Sequence, residues 1–400
     1  MSTYMLADAF LWAGFNTIIL PKEFERMVSR GQLSLLVGLV TFSAVMTGTL
    51  ANIFAGVISD RAKFRMGRRR PFMIFGAIMT LAALALAWSA TGLVAFIIGY
   101  FVLQIGENIA AGSYYGLLPD LVPTEKTGSA SGILTLFQFV GNLTGYVATG
   151  YLVGTAHLDT ALMLEVAIIL GAMVVTVFGI RERQYFGNGR TVVGGIRASF
   201  GSVPKNLFLL LISRFFALLG TNTLTFFSLF YVSQVLGIQK PEFIVATMGG
   251  AVLLLAMFSS VSAGYFSGKV DRKRLAIAAC SVGSFAMLVL AFVPSVTGLM
   301  VAGGMLGVCM GMFMTATLAL SSDLAPEGMG GTAMGLWNLA IGSSQAVSPG
   351  VAGLVIYLTQ NLPWSGMGYK PLFLLASVYF VVAVAFIRKV EEKVKGSLAS

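Results

Sequence analysis

Long apolar stretches, separated by short polar segments, run along the whole chain. Each is close to the roughly 20 residues that a helix needs to cross a bilayer. The stretches are rich in glycine and show no alternation of apolar and polar positions. This pattern is typical of helices and not of outer-membrane strands. The pattern predicts an all-α integral membrane protein with twelve transmembrane helices. The predicted spans are residues 4–21, 34–58, 72–90, 92–117, 129–154, 161–180, 206–233, 243–267, 275–293, 296–320, 330–357 and 370–387. Gly303, Gly307 and Gly311 repeat every four residues along the tenth span, a spacing that predicts a close-packing surface between helices.

The composition agrees with a chain surrounded by lipid. Hydrophobic residues make up 57% of the 400 positions and charged residues only 10%, whereas soluble globular chains carry about 25% charged residues. So few charges would not cover the surface of a soluble protein of this size. We therefore expect the lipid bilayer to be the solvent. The first apolar stretch contains Asp8 and has no basic segment before it, so we expect no cleavable signal.

The distribution of basic residues predicts the orientation. With the N-terminus in the cytoplasm, 20 of the 26 Lys and Arg residues fall on the cytoplasmic side, five fall on the other side, and Arg214 lies within a span. By the positive-inside rule, both termini are then cytoplasmic. This bias also accounts for the net charge of +10 without a nucleic-acid partner. We expect a multi-pass protein of the cell membrane that functions as a monomer.

The chain contains an internal repeat. The segment that begins at Asp120 matches the one that begins at Asp323 at Asp, Leu, Pro, Gly, Ala and Gly, with an offset of 203 residues. Residues 55–59 recur as residues 263–267 with an offset of 208, each time before a basic loop. Parallel repeats of this kind place a substrate site near the middle of the membrane, between the halves. The predicted organisation is an N-terminal half at residues 1–180, a cytoplasmic linker at 181–205, and a C-terminal half with a short cytoplasmic tail at 206–400.

The loop between spans 2 and 3 carries a family resemblance. It reads GVISDRAKFRMGRRRP from Gly56 to Pro71, and it resembles the conserved loop motif of the major facilitator superfamily. Its long Arg-rich form is similar to that of the plant sucrose transporters and the wider glycoside–pentoside–hexuronide group. Span 1, with Phe10-Leu-Trp12-Ala13 followed by Pro21, is also similar to the sucrose carriers. So is span 4, with Asn108, Gly112, Leu117-Leu118 and Asp120.

The resemblance implies a fold of two pseudo-symmetric six-helix halves and transport by alternating access, with a proton as the coupling ion. It covers most of the N-terminal half, and the C-terminal half resembles only the superfamily in general. Span 4 departs from the sucrose carriers, because their carboxylate falls at Gln104 and their arginine at Tyr115. Glu107, one turn along, is positioned to take the role of the carboxylate. Nothing nearby replaces the arginine, which weakens the case for sucrose itself.

The same loop predicts a conformational latch. The Asp60 carboxylate at the end of span 2 is able to accept charge-assisted bonds from nearby guanidinium groups and from a helix N-terminus. Such contacts would favour one of two transport states. The alternative is a basic loop that only fixes topology. The candidate latch residues are Gly56, Asp60, Arg61, Arg65, Gly67, Arg68, Arg69 and Arg70.

Two acidic residues within spans are candidates for proton coupling. Ionisable groups inside the membrane are costly and are functional candidates by default. Glu107 lies deep in span 4, and Gln104 shares its helix face. The alternative is a neutral acid that is hydrogen-bonded to a neighbouring helix. Asp8 lies one to two turns from the end of span 1, where it either functions or simply reaches the interface. Glu165 lies near the outer end of span 6, which suggests an interfacial position.

Amide and aromatic side chains in the spans predict a substrate cavity. Sugars are bound by amides, which both donate and accept hydrogen bonds, and by aromatic faces. Arg214 either extends to the cytoplasmic face or provides the counter-charge for a carboxyl group. For each residue alone, the alternative is a contact between helices worth about 1 kcal/mol. The predicted substrate-binding residues are Trp12, Asn16, Gln104, Asn108, Gln138, Asn142, Arg214, Asn222, Trp337, Asn338 and Gln345.

These patterns favour a secondary active transporter that moves a small polar solute, of the sugar or glycoside class, together with a proton. A proton-driven exporter of lipophilic compounds and a non-transporting membrane receptor remain alternatives. We do not expect an enzyme, because no nucleophile or metal cluster is evident and His157 is the single histidine. The chain has no phosphate-binding Gly-Lys-Ser/Thr sequence. Cys280 and Cys309 have no metal-ligand spacing, and we expect no cofactor or bound metal.

Overall fold

The computed structural model describes residues 2–62, 64, 66–115, 117, 121, 127–180, 204–266, 270–324 and 330–391. Twelve long helices and no strand are found in these ranges. The helices are α1 (Ser2–Met27), α2 (Arg30–Arg61), α3 (Arg70–Ser89), α4 (Leu93–Tyr115), α5 (Thr127–Gly154), α6 (Leu158–Gly179), α7 (Lys205–Val235), α8 (Pro241–Phe266), α9 (Arg272–Phe292), α10 (Val296–Leu324), α11 (Gly330–Thr359) and α12 (Tyr369–Arg388).

The predicted membrane architecture is confirmed. Each predicted span falls on one of these helices, and eleven of the helices in the described ranges are long and apolar enough to cross a bilayer. The remaining one, α5, has 28 residues and carries the amides Gln138 and Asn142. The described connection between α3 and α4 is short, at Ala90–Gly92, so these two helices run antiparallel. The orientation of the termini stays a prediction.

Within the described ranges, two helices contain a π-helical segment, past the middle of α1 and at the C-terminal end of α7. In α1 it covers Phe15–Ile19, and in α7 it covers Tyr231–Val235. A π-helical turn changes the register of the backbone hydrogen bonds, and such turns occur frequently at functional sites. The first helix of each predicted half therefore contains the same irregularity. In α1 it lies directly after Gly14.

The chain forms two compact units. Unit 1 consists of Met1–Val192, Ser228–Ser233 and Ile238–Thr247. Within it α1 packs along α5, and α4 packs along both α2 and α3. Close approach depends on glycine: a Cβ on Gly106 of α4 would lie 2.7 Å from Cβ of Met79 and 2.9 Å from the carbonyl oxygen of Gly76. A Cβ on Gly145 of α5 would likewise meet the backbone of Phe10. Such tight helix pairs are common where lipid is the solvent.

Unit 2 consists of Val193–Phe227, Gln234–Gly237 and Met248–Ser400. Here α9 packs against α10 and α12. The regularly spaced glycines of α10 form a packing surface as predicted, since a Cβ on Gly307 or Gly311 would overlap the backbone of α8. The predicted linker lies almost wholly outside the described residues, and the proposed domain boundaries stay a prediction.

Candidate functional site

A buried group of polar side chains joins α1, α3 and α4 in unit 1. The hydroxyl of Tyr4 donates to Oε1 of Glu107 at 2.6 Å, and the hydroxyl of Thr80 donates to Oε2 at 3.3 Å. Nε1 of Trp12 donates to Oδ1 of Asp8 at 2.9 Å. Tyr4 and Asp8 are four residues apart, so Asp8 lies on the face of α1 that meets Glu107. We refer to these five residues as the carboxyl cluster.

The carboxyl cluster is shielded from solvent. Asp8 is 8% exposed and Glu107 is 1% exposed, so Asp8 is packed inside the protein and does not extend to an interface. Two negative charges this close in a low-dielectric site repel each other strongly. Hydroxyl and indole donors, in contrast, stabilise a single negative charge. The arrangement is suited to two carboxyl groups that hold one proton between them.

A chain of amide and phenol groups lies on α1 and α4, two of the three helices that carry the carboxyl cluster. The Tyr100 hydroxyl donates to Oδ1 of Asn16 at 3.2 Å and accepts from Nε2 of Gln104 at 3.0 Å. Nδ2 of Asn108 donates to the main-chain oxygen of Gln104 at 2.9 Å and lies 3.3 Å from its Oε1. We call Asn16, Tyr100, Gln104 and Asn108 the amide chain. Gly48 of α2 passes so close that a Cβ there would lie 2.6 Å from Nδ2 of Asn108.

The two predicted amides of α5 are bonded within their own helix. Nδ2 of Asn142 donates to the main-chain oxygen of Gln138 at 3.0 Å, and both side chains are half-buried. No hydrogen bond between them and the amide chain is found among the described residues. The structure therefore brings together the predicted residues of α1 and α4 but not those of α5.

In unit 2, Arg214 of α7 stacks on Trp337 of α11. The guanidinium carbon lies 3.5 Å from the ring centroid, and Arg214 is only 2% exposed. It therefore does not extend to an exposed surface, which was one of the two expectations. Its Nε and Nη1 have no hydrogen-bond partner in the described part of the chain. Arg214 is therefore a buried cation that a cation–π contact holds in place. Its two unpaired N–H groups are able to bind an anion or a strong hydrogen-bond acceptor.

The other predicted polar residues of unit 2 divide into two groups. Nδ2 of Asn222 donates to the hydroxyl of Ser344 at 3.4 Å, which links α7 to α11. Asn338 and Gln345 are exposed and lie seven residues apart, so they share one face of α11. Polar side chains of membrane helices rarely face lipid tails, so both residues stay candidates for solute binding.

The candidate latch is only partly described. Arg65 and the side chains of Asp60 and Arg61 lie outside the described residues. Gly67 has a φ of +101°, which favours glycine. Arg69 is buried, Arg68 and Arg70 are half-buried, and a Cβ on Gly56 would lie 3.6 Å from the carbonyl oxygen of Gly112. The latch itself stays a prediction.

Sequence reasoning missed three residues that complete these sites. Tyr4 and Thr80 donate to Glu107, and Tyr100 joins Asn16 to Gln104. Tyrosine and threonine are common in membrane helices, so their presence alone gives no signal. A weak signal was available, since Tyr100 and Gln104 are four residues apart and therefore face the same side of α4.

Comparison with known proteins agrees with this architecture. The family model described as Major Facilitator Superfamily matches residues 1–298 and 210–400. Sucrose transport protein SUT2 of Oryza sativa subsp. japonica is 27% identical over 188 residues, which are 38% of this chain and 38% of that protein. The general alpha-glucoside permease of Schizosaccharomyces pombe is 26% identical over 267 residues, 56% of this chain and 47% of that protein. The chain thus spans less than half the length of these relatives.

Solved structures share the fold. The nucleoside transporter NupG superposes with a TM-score of 0.75 at 14% identity, over 97% of this chain and 98% of that one. A bacterial homologue of the human lysosomal transporter Spinster, in an inward-facing and unoccupied conformation, gives a TM-score of 0.69 at 16% identity, over 96% and 94% of the two chains. At these identities the likeness concerns the fold alone.

Proposed function

The chain belongs to the Major Facilitator Superfamily, a family of membrane transporters and not of enzymes, and we propose that it carries a small polar solute together with a proton. The solute is of the sugar or glycoside class, and transport occurs by alternating access. One observation carries the proposal: the carboxyl cluster and the amide chain share α1 and α4. A proton site and a solute site on the same two helices provide a direct route for coupling.

Glu107 and Asp8 are the proposed proton-coupling residues. In the dry, buried cluster an ionised pair is strongly disfavoured, so the pair holds a proton while it is closed. Hydration of the cluster during the transport cycle lowers the cost of the second charge and releases the proton. Tyr4, Thr80 and Trp12 then stabilise the charge that remains, because each of them donates a hydrogen bond to a carboxylate oxygen.

The solute site is proposed to lie along the amide chain. Amide and phenol groups offer both donors and acceptors, which match the hydroxyl groups of a sugar. Trp12 and Asn16 contribute from α1, and Gln104 and Asn108 from α4. We propose that the remaining predicted residues also bind the solute. They are Gln138, Asn142, Arg214, Asn222, Trp337, Asn338 and Gln345.

The relatives and the chemistry of the site agree on this class of solute. The curated relatives are named as transporters of sucrose and as an alpha-glucoside permease. An exporter of lipophilic compounds would use a cavity poor in amides, whereas the amide chain runs through α4 from Tyr100 to Asn108. A polar solute therefore fits the described residues better than a lipophilic one.

The test is uptake by purified protein in liposomes with a panel of radiolabelled mono- and disaccharides. We expect accumulation of at least one sugar when the outside is acidic, and its loss when a protonophore collapses the gradient. A sodium gradient alone should drive none. Accumulation driven by sodium, or transport of lipophilic dyes but of no sugar in the panel, would overturn the proposal.

We also propose that the protein is a monomer in the cell membrane with both termini in the cytoplasm. The positive-inside distribution of Lys and Arg supports this orientation. A reporter fused after Arg190 should then be cytoplasmic, and one fused within residues 361–369 should be external. Reporters on the same side would contradict the orientation.

A further inference from the structure

A second buried carboxyl group lies apart from the carboxyl cluster. Glu165 of α6 is 0% exposed, although its position in the sequence suggested an interfacial residue. Neither of its carboxylate oxygens has a hydrogen-bond partner in the described ranges, and the same holds for the hydroxyl of Thr149 on α5. Buried polar groups are nearly always satisfied, so three such atoms in one place call for a specific explanation.

The Glu165 carboxyl group lies against α1 at the start of its π-helical segment. A Cβ on Gly14 would lie 2.6 Å from Oε1 of Glu165 and would also meet the Thr149 side chain. The π-helical segment begins at the next residue, Phe15. Glycine at position 14 therefore allows an unpaired acid and an unpaired hydroxyl to contact the backbone where α1 changes its helical register.

No countercharge faces Glu165 from the helices that pack on α6. These are α1, α3 and α5. Between Asp8 and Lys22, α1 has no ionisable residue, and the only one in α3 is Arg70 at its first position. The helix α5 contains no Asp, Glu, Lys or Arg. Its titratable groups are the tyrosines Tyr146 and Tyr151.

The other charges near this region have partners. Arg26 pairs with Glu23 at 2.6 Å. Asp159, in the first turn of α6, accepts a hydrogen bond from Nε1 of Trp88 at 2.8 Å. Lys22 forms an ion pair with Glu242. An ionised Glu165 would therefore be a buried charge without a countercharge, which is among the most unfavourable arrangements in a protein interior.

We propose that Glu165 is a second proton-binding site, and that its proton holds the π-helical segment of α1 in the described conformation. With the proton bound, the neutral acid fits the dry site beside Gly14 and Thr149. When the proton leaves to water, the carboxylate requires hydration, and the π-helical segment must open to admit it. Because the proton binds the closed state, the closed state loses stability as the pH rises.

This site does not depend on solute transport, so its test stands apart from that of the proposed function. The measurement is hydrogen–deuterium exchange of the whole protein in lipid nanodiscs, followed for peptides that cover residues 10–20 over a range of pH. Rates are corrected for the intrinsic pH dependence of amide exchange. A single linked proton limits the loss of protection to about tenfold per pH unit, and we expect the wild-type protein to approach that slope above its transition.

Two neutral variants separate titration from packing. Glu165→Gln and Glu165→Met should both fold, elute as the wild-type protein does, and show protection of this segment that no longer changes with pH. Asp159→Asn, on the same helix, should keep the wild-type slope. The double variant Asp8→Asn/Glu107→Gln should also keep it, because those carboxyl groups belong to the other cluster.

Two results would overturn the proposal. One is a wild-type slope that persists in both neutral variants of Glu165. The other is a slope that disappears in the Asp8→Asn/Glu107→Gln variant, which would assign the linked proton to the carboxyl cluster.

Discussion

The hydroxyl of Tyr4 donates to Oε1 of Glu107 across 2.6 Å, which joins the first turns of α1 to the middle of α4. The two residues are 103 positions apart in the chain. The same helix α1 carries Asp8 and Trp12 in the carboxyl cluster and Asn16 in the amide chain. One helix therefore connects Glu107 with proposed solute ligands.

Glu107→Gln should uncouple transport from the proton gradient. The amide copies the shape of the protonated acid but has no proton to release, so the cycle loses its driving step. We expect no accumulation of solute under a pH gradient, with solute binding retained. The measurements are uptake into liposomes and binding of labelled solute to the purified variant. Wild-type accumulation in this variant would move the coupling site elsewhere, with Asp8 the next candidate.

Tyr100→Phe should weaken solute binding. The phenol hydroxyl joins Asn16 to Gln104, and its removal breaks the link between these two amides. A neutral hydrogen bond contributes about 1 kcal/mol, so we expect a loss of affinity of about fivefold. Equilibrium binding measures it. Tyr151→Phe is the matched control, since Tyr151 is 61% exposed, and an equal effect in both variants would argue against a solute site here.

Arg214→Gln should reduce transport more than Arg214→Lys. The stacking of Arg214 on Trp337 places a buried cation over an aromatic face, and a desolvated contact of this kind is worth about 2 kcal/mol. Lysine keeps the charge but loses the flat stack and the free guanidinium donors. Initial rates of uptake, normalised to the amount of folded protein, measure the difference. Full transport by the glutamine variant would show that Arg214 does not bind the solute.

Asp60→Asn should slow transport while it leaves solute binding intact. The latch changes the balance between the two transport states and does not contact the solute. The loss of one charge-assisted bond, about 1–3 kcal/mol, therefore changes the transport rate. Exchange of internal for external solute measures the rate, and equilibrium binding measures the cavity. The control is Asp271→Asn, because Asp271 caps α9 through the Lys273 main-chain nitrogen and asparagine caps equally well. Lost binding with an unchanged exchange rate would refute the latch.

Gly106→Ala should destabilise unit 1, whereas Gly171→Ala should not. A methyl group at Gly106 would meet Met79 and the backbone of Gly76, and overpacking of this kind costs about 1–3 kcal/mol. Nothing lies within 4 Å of a Cβ at Gly171, where alanine gains helix propensity. Thermal unfolding in detergent, followed by circular dichroism of the helices, measures both. Equal stability of the two variants would contradict this packing.

The sequence by itself determined the spans and the packing surfaces. Length and hydropathy decide whether a segment crosses a bilayer, and this is a local property, so each predicted span coincides with a helix. Glycines four residues apart, such as Gly307 and Gly311, marked a close helix contact for the same local reason. Glu107 stood out as well, because a carboxyl group in the middle of an apolar stretch is costly wherever the helix packs.

Only the tertiary structure decided which side chains meet. A membrane helix that is apolar on all sides does not reveal which face is turned inward, so the sequence could not pair Glu107 with Tyr4 or place Arg214 on Trp337. Distance from a span end was also a poor guide to burial. Asp8 and Glu165 both lie near span ends, yet neighbouring helices enclose both, because burial depends on contacts between residues far apart in the chain.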